Sequence, residues 1–301
     1  MTAIDVIPDR RELVERTIRK LLGHRTYVAQ DLELLDARLE ALYYDLCGTS
    51  SDPQDVETYN GTLGVSKEFV DKFEAPVGQL RWREDLAKEF EGDHNDEGNV
   101  AGLRWGSGAL IGDDLFLTAG HCFEQHYRAW QVPSRDGVPI SSKEMATLMY
   151  VDFKFQRDGA TGEIRPGLPF PVEEMLEFST SKVDYAIVRL GRDASNNLPG
   201  QLFGKLAVAA KDPTARNAIL CIIQHPNRRE KKIEAGHLME VRDGRIAYND
   251  IGTFGGSSGS PILNEAGEVV GVHVKGGSLP IGGFNSGTAI SAIRAVSKHI
   301  K

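Results

Sequence analysis

Apolar positions follow two regimes along this chain, helical over the first hundred residues and strand-like after them. Leu13, Val14, Ile18, Leu21 and Leu22 share one side of a helix predicted over Asp9–Leu22, which Pro8 and Asp9 open and Gly23 closes. Val28, Leu32, Leu35, Leu39, Leu42 and Leu46 then recur at alternating intervals of four and three, which puts all six on one stripe of a second helix. The pair reads as a helical hairpin. Its stripe suits packing on the first helix and the neighbouring domain, and a seam of that period also suits docking of a partner or a second copy. Polar and turn-forming residues fill Gly48 to Asn60, and further helical segments are expected at Ser66–Phe73 and around Arg81–Phe90. Glu91–Asn99 is too polar to bury apolar area and reads as a linker.

Beyond the linker the period shortens to that of a strand. Val151, Phe153 and Phe155 alternate with Asp152, Lys154 and Gln156, and Arg157-Asp158-Gly159 offers a turn. Other strands are expected at Ala109–Ile111, Leu115–Thr118, Tyr185–Leu190, Ala218–Gln224, Leu238–Val241, Arg245–Tyr248, Pro261–Leu263, Val269–Lys275 and Thr288–Ile290, with a closing helix over Ser291–Ile300. Many short strands punctuated by Gly, Asp and Asn indicate a β-sandwich or barrel rather than an alternating α/β sheet. The expected organisation is a helical region over residues 1–98 and a β domain over 99–301.

The 301 residues, 41% of them hydrophobic, suffice for two or three packed units. The net charge of −8 is uneven: residues 1–98 carry 22 acidic and 12 basic side chains, the remainder 21 and 23. An acidic leader beside a near-neutral body excludes nucleic acid as the expected partner, since phosphate binding needs a basic face. No apolar run reaches the roughly 18 residues of a membrane span. The start, Met1 to Arg11, lacks the basic and apolar stretches of a secretion signal, so a cytoplasmic protein without a membrane partner is expected. Cys47, Cys122 and Cys221 are too few and too widely spaced for a disulfide framework or a zinc site, and reduced thiols are expected. No metal or other cofactor is implied.

Two segments far apart carry the chemistry. His121 follows the apolar run Leu115–Leu117, and Ser258 lies in a glycine-rich turn. A serine hydroxyl is a poor nucleophile until a neighbouring base takes its proton, which a histidine titrating near neutrality can do and then return to a leaving group. Asp184 sits between Val183 and Tyr185 in an apolar stretch, where a hydrogen bond to an imidazole would compensate its burial. The competing carboxylate, Asp152, falls on the polar side of an alternating strand beside Lys154, where solvent is the expected neighbour.

Gly106-Ser107-Gly108-Ala109-Leu110-Ile111-Gly112, Leu117-Thr118-Ala119-Gly120-His121-Cys122, Asp184-Tyr185-Ala186-Ile187-Val188 and Gly255-Gly256-Ser257-Ser258-Gly259-Ser260-Pro261 together resemble the trypsin-like (chymotrypsin-fold) serine proteases. The resemblance covers residues from about 100 to 298 and is nearest to the glutamyl endopeptidase branch and its intracellular bacterial relatives. It implies a mainly β fold of two six-stranded antiparallel barrels with a C-terminal helix, here preceded by the helical region. His121 and Asp184 would come from the first barrel and Ser258 from the second, meeting in the cleft between them. The family pattern selects Ser258 over Ser257 and Ser260 as nucleophile, and Gly256 and Ser258 would supply the backbone N–H groups of the oxyanion hole. Ser257 departs from digestive relatives, where an Asp at that position captures a newly cut amino terminus, so that route of activation is not expected.

Thr253 and His273 occupy the positions that line the specificity pocket in glutamyl endopeptidases. Hydroxyl and imidazole donors suit an acidic or amide side chain, so cleavage after Glu is expected, with Gln next. Those relatives also use the free amino group of the mature chain, whereas about a hundred residues precede the protease region here. The cysteine that pairs with Cys122 in secreted relatives has no counterpart nearby. The expected partners are a protein or peptide substrate, and an activator or other partner engaged through the leader, which is expected to be regulatory. The competing reading is a catalytically silent protease-like module used for binding or assembly. A nucleotide site is disfavoured because Gly255-Gly256 lacks a following Lys and opens onto a strand.

Overall fold

In the computed structural model, residues 53–127, 130–248, 250–276 and 284–301 are described. Both expected leader helices, and Cys47 with them, lie outside the described residues. Among the described residues, thirteen strands make up the two barrels and the one strand added to the second: β1 (Gln54–Asp55), β2 (Val77–Trp82), β3 (Arg104–Leu110), β4 (Leu115–Thr118), β5 (Met149–Phe153), β6 (Leu168–Ser179), β7 (Tyr185–Leu190), β8 (Ile219–Gln224), β9 (Lys232–Arg242), β10 (Arg245–Tyr248), β11 (Pro261–Leu263), β12 (Val269–Lys275) and β13 (Asn285–Ala289).

Strands β2 to β7 close into an antiparallel barrel in the order β6-β7-β4-β3-β2-β5. Its interior is filled by Leu80, Leu110, Phe116, Val151, Phe153 and Val188, all fully buried. Phe153 is the hub, with ring centroids 6.2 Å from Phe116, 5.6 Å from Phe170 and 4.7 Å from Phe203. The second barrel runs β9-β8-β11-β12-β13-β10 and closes through the β9–β10 hairpin. Leu220, Ile222, Ile246, Tyr248, Ile262 and Val270 pack inside it. Every strand pairing in both barrels is antiparallel, which the short, turn-separated strands foreshadow.

The expected helix at Ser66–Phe73 is present as α1 (Lys67–Phe73), with Ser66 as its N-cap accepting the Phe69 N–H at 3.1 Å. The helix expected around Arg81–Phe90 shrinks to α2 (Leu86–Glu89). Arg81 and Trp82 belong instead to β2, where pairing with β3 and β5 on both sides outweighs local helix propensity. The boundary expected at residue 98 therefore does not separate helical from β structure, because β2 is an integral barrel strand. The closing helix, α3 (Ile290–Val296), ends earlier than expected because Ser297 returns to extended backbone.

Each barrel is fastened by the end of the chain nearer the other. β1 precedes the first barrel in sequence, yet Gln54 and Asp55 pair with Ile233 and Lys232 on β9 of the second. Glu57, just after β1, pairs with Arg165 and with the Gln156 amide at 2.7 Å on the first barrel. At the other end, the stretch after α3 returns to the first barrel, where Glu177 of β6 accepts the Lys298 N–H at 2.6 Å and faces His299 Nδ1 at 2.8 Å. Between the barrels, the fully buried Lys231 ammonium donates to the Glu74 carboxylate and carbonyl, both at 2.9 Å, and Lys154 pairs with the same carboxylate. No described helix is long and apolar enough to cross a membrane.

Candidate active site

β4 delivers the chain to a single 3-10 turn, Gly120–Phe123, that carries His121 to the cleft. Across it, Asp184 stands one residue before β7 rather than inside the strand, with 15% of its side chain exposed. Its Oδ2 lies 2.7 Å from His121 Nδ1, and its Oδ1 accepts the His121 backbone N–H at 3.1 Å. The Asp184 carbonyl is fixed from the second barrel, accepting the Thr288 hydroxyl at 2.8 Å. Ser258, in the loop between β10 and β11, places its Oγ 2.7 Å from His121 Nε2. The structure thus brings together the three side chains expected to do so, from stretches 63 and 137 residues apart.

The loop before Ser258 is held peptide by peptide. The Gly255 carbonyl accepts the Arg228 N–H at 3.2 Å, the Gly256 carbonyl accepts the Ser107 hydroxyl at 2.7 Å, and the Ser257 carbonyl accepts the Ser260 N–H at 3.0 Å. In a trans peptide the N–H points opposite to the C=O, so the N–H groups of Gly256 and Ser258 are turned away from those anchors. Among the described residues neither donates to another group. Gly256 has φ +96°, and a Cβ there would stand 2.6 Å from the His225 carbonyl and 2.7 Å from the Arg228 nitrogen. Only glycine meets both demands. Ser257 is fully buried and its Oγ accepts the Phe254 N–H at 3.1 Å, closing the turn without a charge.

Thr253 and His273 are both buried, at 1% and 2% exposure. His273, on β12, is met at Nδ1 by the Tyr248 hydroxyl of β10 at 2.5 Å. Burial, reinforced by the nearby His121 and only partly opposed by Asp184, pushes the His273 pKa down to about 3. Its imidazole is therefore uncharged at neutral pH. Cys122 lies against the site, its Sγ 3.9 Å from the Ser258 carbonyl, and burial pushes its thiol up to about 12, well out of nucleophilic range. Cys221 is likewise free and buried.

One expectation is corrected. Asp152 does not face solvent: it is 1% exposed, with Arg81 Nε at 2.7 Å and Arg104 NH1 at 2.9 Å from its Oδ2. Both arginines come from neighbouring strands of the barrel, which sequence spacing does not reveal. It therefore stands in an ion-pair cluster apart from His121. Tyr248, Thr288 and Ser107 were not singled out by sequence reasoning. Ser107 lay within a recognised motif, but its hydroxyl partner is 149 residues away. Among the described residues no cluster of three or more His, Cys, Asp or Glu is placed to hold a metal ion.

A family model described as a trypsin-like peptidase domain matches residues 106–272. The glutamyl endopeptidase of Staphylococcus aureus is 26% identical over 174 residues, covering 56% of this chain and 42% of that protein. Protein y4fB of Sinorhizobium fredii is 28% identical over 186 residues, covering 57% of this chain and 25% of its own length. The chain thus spans less than half the length of these curated relatives. A solved structure of Glu endopeptidase in complex with MPD shares the fold, with a TM-score of 0.52 at 15% identity, covering 83% of this chain and 96% of that one.

Proposed function

The chain belongs to the trypsin-like peptidase family, and on that premise we propose that it is a serine endopeptidase acting through Ser258, His121 and Asp184. The observation that carries this reading is the pair of 2.7 Å contacts at the two ends of the His121 ring. Ser258 Oγ attacks the scissile carbonyl while His121 Nε2 takes its proton, and the resulting imidazolium passes that proton to the leaving amine. Water then repeats the cycle on the acyl-enzyme. Asp184 keeps the Nδ1 proton in place and stabilises the imidazolium. The N–H groups of Gly256 and Ser258 receive the developing oxyanion, a contribution worth about 3 kcal/mol per donor in sites of this kind.

The proposed preference is Glu before the scissile bond, with Gln next, read by Thr253 and His273. With the Tyr248 hydroxyl on Nδ1, the Nε2 of His273 is left to carry the proton offered to a substrate oxygen. An uncharged imidazole and a hydroxyl give no acidic floor for Lys or Arg. The name of the Staphylococcus aureus relative, glutamyl endopeptidase, supports the same preference. The region before β1 is proposed to regulate the enzyme by engaging a partner protein, its pull reaching the barrels through β1.

The test is a peptide-library digest with the full chain and with Ser258→Ala, alongside labelling by a fluorophosphonate. Cleavage after Glu and Gln, abolished together with labelling in Ser258→Ala, is expected. Cleavage mainly after Lys, Arg or Phe overturns the pocket assignment, and cleavage that survives Ser258→Ala overturns the mechanism.

A further inference from the structure

We propose that the Ser107 hydroxyl is a positioning group for the oxyanion hole, a clamp by which the first barrel holds the catalytic loop of the second in its reactive shape. The inference rests on the serine endopeptidase reading above. Ser107, on β3, is fully buried. Its hydroxyl donates to the Gly256 carbonyl at 2.7 Å and accepts the His225 N–H at 3.0 Å, so both of its hydrogen-bonding roles are filled. The Ser107 N–H donates to the Ser258 carbonyl at 2.8 Å, so one residue grips the loop on both sides of Ser257.

The gripped peptide, between Gly256 and Ser257, is the one that joins the two oxyanion donors. Its carbonyl is held by Ser107 and its N–H by the Phe254 carbonyl at 2.9 Å, which fixes the plane. Rotation of that plane would turn ψ at Gly256 and φ at Ser257, and so swing the N–H of Gly256 or Ser258 off target. Glycine at 256, with φ +96°, resists such rotation least of all residues, so the loop needs an external hold. The turn His225–Arg229 completes that hold. Asn227 and Arg228 there adopt φ of +53° and +60°, a strained pair that aims the Arg228 N–H at the Gly255 carbonyl. His225 ties the turn to the same Ser107 hydroxyl. A neutral hydrogen-bonded clamp therefore does here what an ion pair to an Asp would do, and Ser257 leaves no charge to be paired.

The experiment compares wild type, Ser107→Ala and Ser258→Ala in the full chain, measuring kcat and KM on a cleaved peptide, the rate of fluorophosphonate acylation, and Tm. Ser107→Ala is expected to lower kcat and the acylation rate together, by about tenfold or more, with KM and the fraction of labelled sites at completion unchanged. Ser107→Cys, which keeps a weaker donor in similar volume, is expected to fall between the two and provides the test if the alanine variant does not fold. A Ser107→Ala kcat within twofold of wild type overturns the clamp, as does a loss accounted for by fewer labelled sites or a parallel rise in KM. Activity that survives Ser258→Ala removes the proposed mechanism and the clamp with it, whereas its loss there beside an unaffected Ser107→Ala removes the clamp alone.

Discussion

Asp184 grips His121 twice, through the ring at Nδ1 and through the backbone N–H, so one carboxylate sets both where the imidazole sits and how it is turned. An asparagine could satisfy one of these contacts but would present an N–H to the ring in one orientation and invert its tautomer. Asp184→Asn is expected to lower kcat by about ten-thousand-fold, with Tm little changed. Steady-state kinetics beside a thermal melt checks this.

The glycine after the nucleophile is under a different constraint. Gly259 has φ +91°, and a Cβ there would collide with the Ser107 carbonyl and the Thr118 hydroxyl. Gly259→Ala is expected to cost about 3 kcal/mol of stability or more, read as a lower urea midpoint and less soluble protein.

His273 is expected to be silent across the physiological range. Because its pKa is held near 3, the imidazole stays uncharged above that value, and the ratio of Glu to Gln cleavage contributed by this ring should not titrate between pH 5 and 8. His273→Ala should lower kcat/KM on Glu and Gln peptides by about tenfold or more while leaving acylation by a small fluorophosphonate nearly intact. Matched peptide assays across pH give the answer.

Glu74 adds a pH dependence of stability. Burial alone would raise its pKa, but Lys231 and Lys154 outweigh it and hold the carboxyl below its ordinary 4.5. A depressed carboxylate stabilises the fold above its unfolded value and loses that contribution as pH falls through the folded one. The stability gap between wild type and Glu74→Gln should therefore be widest near neutrality and shrink below about pH 4.5, in urea melts taken from pH 7 to 3.

Truncation separates leader from body. Removing residues 1–95 deletes β2, which pairs with β3 and β5, and should leave insoluble or unfolded protein. Removing residues 1–52 spares β1 and all barrel strands, so a soluble protein with a cooperative melt is expected.

How much of this was legible beforehand depended on the range over which each interaction acts. β4, β7, β10, β11 and β12 fell at the expected residues because short apolar runs between turn formers are local signals. β2 escaped although its pattern is intact: Leu80 and Trp82 alternate with Gln79 and Arg81 over too few residues to stand out, and those two polar side chains find partners, Arg104 and Asp152, only in the fold. β6 escaped for the opposite reason: Pro169, Pro171 and bulges at Val172/Glu174 and Met175/Glu177 break its pattern. Asp152 looked solvated because Arg81 and Arg104 reach it from 71 and 48 residues away. The triad was readable through its motifs, but the Tyr248 contact to His273 and the Ser107 clamp are products of folding that no spacing encodes.

The exchanged fastenings of the chain have a mechanical consequence. With β1 stitched to β9 and the stretch around His299 buttoned onto Glu177, neither barrel can tilt without first unlacing a terminus that belongs to its neighbour. Any change in the width of the crevice would therefore have to begin at the outer seams of the molecule. Whatever tugs on the residues before Gln54 acts on that lacing long before it touches the serine.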